Sequence, residues 1–372
     1  MKKILILGGG FSAISVAQYL GKIAKRKKYI EVAIVCENNY FVFQPMLPEV
    51  ASGGLEASHI INPIRRLCKN VTFHRAKVDN IDMVQKKVRI IGADFTRQQE
   101  LEFDELVIGL GLSTDFSRVP GMAEHALPMK TLGDAFFLRN EMINKLEEAS
   151  IEKDAEIKQK LLTFTVIGGG FSGVETIGEI ADMVKSALTH YPQINKKDLR
   201  FILVHSGKRI LMELSEKLGT FAAEKCRYRG IEVMLETRVK EVSPECIILS
   251  DDTEIPCRTV IATTGNAPHE VITELPFIND RGRLDTNAYF QVVQKDQYGE
   301  VEKIVPNVWA LGDCAFIPNL KEKPKDGSHP PCPPTAQFAI RQGPVCAKNI
   351  IANLNQKKLK QFKFKELGQM AI

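Results

Sequence analysis

Two short stretches have the spacing with the most chemistry in it: GGGFSA at 8–13 and GGGFSG at 168–173. An apolar run precedes each (ILIL, then TFTVI), and an amphipathic helical pattern follows, set in the first copy by Ile14, Ala17, Leu20 and Ile23. A G-x-G-x-x-A/G frame at such a junction removes side chains at two places: where the strand turns (Gly8, Gly168) and where a pyrophosphate must reach the backbone (Gly10, Gly170). It keeps the residue small where helix meets strand (Ala13, Gly173). The helix then points its free N–H groups and positive dipole end at the phosphates. Both stretches read as dinucleotide-binding turns, and the repetition of GGGFS makes coincidence a poor account of either.

Other residues take positions around these turns. Glu37 closes the next strand, EVAIVC, 24 positions after Ala13, near the roughly 20 expected for the acid that bonds a ribose. In the second copy the strand RFILV leads to His205 and Ser206, with Lys208 and Arg209 close behind, so the acid expected at His205 is missing. Asp313, in ALGDCA, sits at a small-residue strand end where a ribityl or phosphate-bearing group could bond it. The strand LVIGL, ending towards Gly111 and Ser113, suggests close approach of a bound group to the backbone. Glu175, two residues past Gly173, is expected in the first helical turn, where the dipole favours a carboxylate. Between Asn38 and Arg66, a proline- and glycine-marked loop offers Tyr40, Phe41, Phe43, Met46 and Leu47 as the lining of an apolar slot.

The elements that must position these residues are short strands alternating with helices. Strands are expected at 71–73 and 87–91, the second in a small antiparallel unit, and a helix over 132–149 followed by a charged connection, IEKDAEIKQK. A proline-rigid loop then runs into a helix whose first turn holds Thr335, Ala336 and Gln337. At 372 residues with a net charge of +5, the chain can form two or three cores. Its basic residues are spread without a nucleic-acid module. The eight cysteines form neither a C-x-x-C nor a zinc pattern, which favours free thiols in a reducing cytoplasm. No metal cluster and no Ser-His-Asp arrangement is evident, and no apolar run is long enough to span a membrane. A bound redox cofactor would supply such a chain with its chemistry.

GGGFSA with Glu37, FQPMLPEVASG, GGGFSGVE, WALGDCA and CPPTAQFAIRQG, in that order over essentially the whole chain, resemble the type II NADH dehydrogenases (NADH:quinone oxidoreductases). These are flavoproteins of the FAD-dependent pyridine nucleotide-disulfide oxidoreductase superfamily. The resemblance implies an α/β fold with two Rossmann-like dinucleotide-binding domains in a glutathione-reductase-like architecture. Residues 1–120 and 285–372 would form a discontinuous FAD domain, and 121–284 the NAD(P)H domain. Hydride would pass from NAD(P)H to the flavin, and electrons on to a quinone.

Carried over by motif, Gly8, Gly9, Gly10, Phe11, Ser12 and Ala13 would surround the FAD pyrophosphate. Glu37, with Asn38 beside it, would hold the adenosine ribose, and Val78 would sit by the adenine. Asp313 would bond the ribityl chain, and Ala336 and Gln337 would lie at the isoalloxazine. Gly168, Gly170 and Gly173 would receive NADH or NADPH, with Glu175 at the reaction centre. Gln337 and the loop around Pro45 would border the quinone site. Arg341 and Gln342 stand where many members carry a glutamine pair. The missing acid at His205 implies appreciable use of NADPH beside NADH. Two alternatives stay open: a sulfide:quinone oxidoreductase-like enzyme, for which Cys332 could serve but no cysteine lies between Cys68 and Cys226, and a non-catalytic flavin-binding interaction protein. Peripheral attachment to the inner face of the cell membrane is expected, through a C-terminal segment beyond Ile372. The preceding KKLKQFKFK, with Leu359, Phe362 and Phe364, would add a weak attraction of about 1 kcal/mol per lysine. A homodimer is left open, and no nucleic-acid partner is expected.

Overall fold

The computed structural model describes residues 1–92, 94, 96–277, 282–296, 300–324 and 327–368. The opening apolar run forms the strand Lys2–Leu7, buried from Ile4 onward. It lies between two parallel neighbours, Ile30–Cys36 and Glu105–Ile108, with Leu7 level with Val35 on one side and Ile108 on the other. A strand covered on both faces reads as continuous rather than alternating hydrophobicity. The parallel sheet extends through Thr72–Asp82 and Val301–Ala310. Antiparallel strands finish both edges: Gln291–Lys295 on one, Lys87–Gly92 and Gln98–Glu102 on the other. Helices Phe11–Ala24 and Ala336–Leu354 pack together closely, and a side chain at Gly343 would run into Ser15. These segments make one compact unit: Met1–Phe41, Ile61–Ser113 and the described residues of Ala267–Leu367.

Two features of this unit depend on long-range pairing. Glu105 is only 2% exposed; its carboxylate accepts Trp309 Nε1–H at 2.7 Å and Asn353 Nδ2–H at 2.9 Å. Burial pushes this carboxyl above its ordinary range. The second feature is the tail. Asn349 bonds the Lys360 backbone twice, at 2.9 and 2.8 Å, and Phe362 is buried against Phe290 and Phe338. Phe364 lies edge-on to Phe338, under the Arg341 guanidinium. Phe362 is therefore committed to the core and Phe364 is half-buried at its margin, while the lysines at 357, 358, 360, 363 and 365 face outward.

The second unit, Val42–Ile60 with Thr114–Asn266, repeats the plan. Its five-stranded parallel sheet runs Leu127–Pro128, Thr259–Ala262, Thr163–Ile167, Arg200–Val204, Ile231–Met234, with the glycine-turn strand in the centre. A three-stranded antiparallel sheet, Val239–Val242, Cys246–Leu249 and Glu254–Pro256, accompanies it. The α/β class and the pair of Rossmann-like units match the expectation. By compactness, 42–60 and 114–120 group with the second unit, and the described residues of 267–284 with the first. The cause in the first case is the helix Leu47–Ser52, which packs on Leu132–Ile151 and Phe171–Ala187, with Ser52 Oγ donating to Glu179. Leu47 is thus a core residue, 3% exposed, not part of an open slot. The charged connection after residue 151 also contains a helix, Ala155–Leu161. Asp154 caps it by accepting the Glu156 and Ile157 N–H groups, the role an aspartate two or three residues before such N–H groups is suited to.

Candidate functional site

The two glycine turns share one geometry. Gly8 and Gly168 sit at φ +110° and +120°, and each donates its N–H at 2.9 Å to the neighbouring strand, Val35 O and Val204 O. Only glycine takes these values without strain. Gly10 and Gly170 cap the following helices at φ −80°, ψ −176° and φ −78°, ψ −176°. That is extended backbone, open to any residue. A Cβ at either position would meet no protein atom within 4 Å. The space in front of Gly10 and Gly170 is a cradle that a side chain would fill, and the fold itself does not require it to be empty.

The third position differs for a visible reason. In the first unit the strand beside the turn ends at Gly109, whose N–H reaches Leu7 O; in the second, Thr263 makes the same bond to Ile167 O. Glycine at 109 leaves room for the Ala13 methyl, whereas a Cβ at Gly173 would run into Gly168 O and lie 2.7 Å from Thr263 Oγ1. Within LVIGL, Gly109 packs against the Gly8 backbone, while a Cβ at Gly111, φ +70°, would meet no protein atom within 4 Å.

Around the first turn, distant segments converge. Ser12 is 5% exposed, and a Cβ at Gly312 would lie 2.5 Å from its Oγ. Gly312, at φ +77°, is held by Gln342, whose Oε1 accepts its N–H at 2.9 Å. Gln342 is itself 2% exposed. It therefore positions the turn carrying Asp313, a role its spacing did not reveal. Phe11 stacks edge-on with Phe41 at 4.9 Å. Glu37 and Asn38 are exposed at the end of the second strand. Val78 is buried by its side chain beside a bulge in the Thr72–Asp82 strand, so a ligand there would meet its backbone. At the start of the C-terminal helix, Ala336 and Gln337 follow Thr335, whose hydroxyl is buried without a hydrogen-bond partner among the described residues. Gln337 Oε1 accepts the Leu367 N–H at 2.8 Å, and Arg341 Nη1 donates to its carbonyl at 3.0 Å.

In the second unit, Glu175 is the fifth residue of Phe171–Ala187, whose first turn holds no acid. It therefore stands in the second turn, beyond the strongest part of the dipole. Register identifies Cys36 with His205 and Glu37 with Ser206, because Val35 and Val204 are equivalent. Cys36 and His205 each lie under the middle glycine of their turn; His205 Nδ1 accepts the Gly169 N–H at 3.1 Å. Ser206 and Lys208 are exposed. Arg209 is directed elsewhere, donating to the carbonyls of Leu214 at 2.8 Å and Met212 at 3.1 Å. All eight cysteines are free. Cys332 is 5% exposed, with burial pushing its thiol up to about 12, a poor starting point for a thiolate relay.

A family model described as pyridine nucleotide-disulphide oxidoreductase matches residues 2–343. The chain is 31% identical to demethylphylloquinone reductase NdbB of Synechocystis sp., over 99% of this chain and 83% of that protein. It is 26% identical to the type II NADH:quinone oxidoreductase of Haemophilus influenzae, over 100% and 84% of the two chains. Its fold is similar to that of NDH2 from Plasmodium falciparum in complex with NADH, with a TM-score of 0.86 at 19% identity, covering 100% of this chain and 88% of that one. Matched along most of its length and carrying two glycine turns of one geometry, the chain belongs to the pyridine nucleotide-disulphide oxidoreductase family.

Proposed function

We propose that the protein is an FAD-dependent NAD(P)H:quinone oxidoreductase, with FAD in the first unit and the nicotinamide dinucleotide in the second. The observation that carries this reading is the pair of open cradles before Gly10 and Gly170, where backbone and free space alike would accept a side chain and the chain nevertheless keeps glycine. The names of relatives across the full length, which specify quinone reduction, support it. The chain's own groups fit FAD. Gly8 to Ala13 would hold the pyrophosphate, Glu37 with Asn38 the ribose, the Val78 backbone the adenine, and Asp313 the ribityl hydroxyls. Ala336 and Gln337 would lie at the isoalloxazine, and the Thr335 hydroxyl, buried without a hydrogen-bond partner among the described residues, would meet the ring's polar edge. When bound, FAD supplies the electron acceptor and donor. The protein holds and orients the two dinucleotides, with Gly168, Gly170 and Gly173 receiving NAD(P)H, Glu175 orienting its reacting end, and Gln337 near the quinone. The enzyme would work on the inner face of the cell membrane; among the described residues no helix is long and apolar enough to cross it. Anaerobic spectra of the purified protein test the reading: flavin bleaching by NADH and reoxidation by a quinone analogue are expected, and bleaching by sulfide alone would overturn it.

Glu175→Gln should retain FAD yet slow NADH oxidation about tenfold or more, a loss of at least about 1.4 kcal/mol in the transition state. Stopped-flow flavin reduction checks this, and an unchanged rate would leave Glu175 as an ordinary helix residue.

Nucleotide choice follows from the second strand end. Ser206 in the place of Glu37 cannot repel a 2′-phosphate, and the exposed Lys208 would attract one. The ratio of kcat/KM for NADH over NADPH is expected to stay within about 100-fold, or less than about 3 kcal/mol of discrimination. Ser206→Asp should raise it and Lys208→Ala should weaken NADPH use. A preference for NADH above about a thousandfold, roughly 4 kcal/mol, would contradict the assignment.

A further inference from the structure

His205 occupies a place that no side-chain role accounts for so far. Its Nδ1 accepts the Gly169 N–H at 3.1 Å, which leaves the ring proton on Nε2. Nε2 is buried and has no hydrogen-bond partner among the described residues. The ring fills the space under the turn: a Cβ at Gly169 would lie 2.6 Å from its Cγ, and one at Gly207 2.7 Å from Nε2. The backbone of His205 is fixed too, its N–H bonded to Met234 O at 2.8 Å and its carbonyl to the Thr237 N–H at 3.0 Å. A second bond ties this loop to the turn, from Leu211 N–H to Gly169 O at 2.7 Å. The imidazole is thus wedged between the glycine turn and the loop that carries Ser206 and Lys208.

We propose that His205 is a positioning residue for the second dinucleotide, its Nδ1 lone pair holding the Gly169 amide and thereby the shape of the turn presenting Gly170. This rests on the reading of that turn as the nicotinamide-dinucleotide site. Protonation of Nδ1 would set one N–H against another and release the turn. The bound form therefore requires neutral imidazole, and acid weakens binding without touching the ligand. Burial pulls the imidazole below its ordinary range, which keeps it neutral at physiological pH. The Arg209 backbone and, after it, Glu213 from the following loop oppose this by favouring the cation. Within His205's own loop, the Lys208 side chain is exposed and the Arg209 guanidinium is turned to the Leu214 and Met212 carbonyls. The strand end packed against it contributes Glu236, exposed, through a backbone N–H to Gly207 O. The glycine turn contributes backbone alone.

The test is NAD+ binding to the oxidised holoprotein by calorimetry from pH 7.5 to 5. Below the imidazole's pKa the dissociation constant should rise towards tenfold per pH unit. His205→Asn offers an amide oxygen near the Nδ1 position that cannot be protonated, and should bind with a flat profile. His205→Phe fills the space without an acceptor, and should bind weakly at every pH. A wild-type profile that stays flat across the pH range in which NMR shows the His205 imidazole gaining its proton, with normal binding at pH 7.5, or an unaltered acid limb in His205→Asn, overturns the proposal. NAD+ that fails to bind the wild type at any pH overturns the reading of the site, and the proposal with it.

Discussion

Gly10→Val is expected to purify folded and colourless. The mutated position has extended backbone that valine accepts, and its Cβ would meet no protein atom within 4 Å, so the strand, helix and core should form as before. The added methyls would occupy the space where the FAD pyrophosphate must contact the helix N-terminus. A loss of affinity of at least about 100-fold is expected, equivalent to about 2.7 kcal/mol. Circular dichroism and flavin absorbance after incubation with FAD measure the two parts separately. Gly170→Val is the matched control: it should keep its yellow colour and lose NADH oxidation. Gly173→Ala differs from both, because its methyl runs into Gly168 O and should destabilise the second unit itself. A Gly10→Val protein that retains stoichiometric FAD would show that the first cradle is not the cofactor site.

Asn353→Leu should destabilise the first unit by about 2 kcal/mol. The substitution removes the donor at 2.9 Å from a carboxylate that is 2% exposed, leaving Glu105 with Trp309 as its principal hydrogen-bond donor. Trp309 is the chain's single tryptophan, so its fluorescence follows the affected site directly during urea unfolding. The pH dependence has a definite sign. Burial already holds Glu105 above its ordinary value, and losing a donor to the charged form raises it further. The folded state then keeps a proton that the unfolded chain has released. That contribution to stability is fully present below the unfolded value, about 4.3, and is lost as pH rises through the folded one. The deficit of Asn353→Leu relative to wild type should therefore be smallest near pH 4.5 and grow towards pH 7.5. A deficit independent of pH would place the damage in packing and not in the carboxyl group.

Much of the glycine-turn geometry was legible in the linear order. Gly8, Gly10, Gly168 and Gly170 follow from local requirements, a positive φ or an unobstructed backbone, and local requirements leave marks at fixed spacing. The same holds for the central strands, whose burial on both faces writes itself as unbroken apolar runs. What the sequence left undetermined depends on partners far away in the chain. Ala13 and Gly173 look interchangeable until the neighbouring strand ends are seen to be Gly109 and Thr263. Gln342 reads as half of an altered glutamine pair, yet its side chain bonds Gly312, thirty positions upstream. Phe362 and Phe364 read as surface aromatics, and packing on Phe338 claims both. Ser206, and not His205, proves to be the counterpart of Glu37, because strand register, which a single sequence does not encode locally, decides which residue follows the turn. Composition and periodicity determine which residues turn, cap and bury; only tertiary structure decides which of them meet, since hydrogen bonds and steric exclusion act through space and carry no signature in sequence separation.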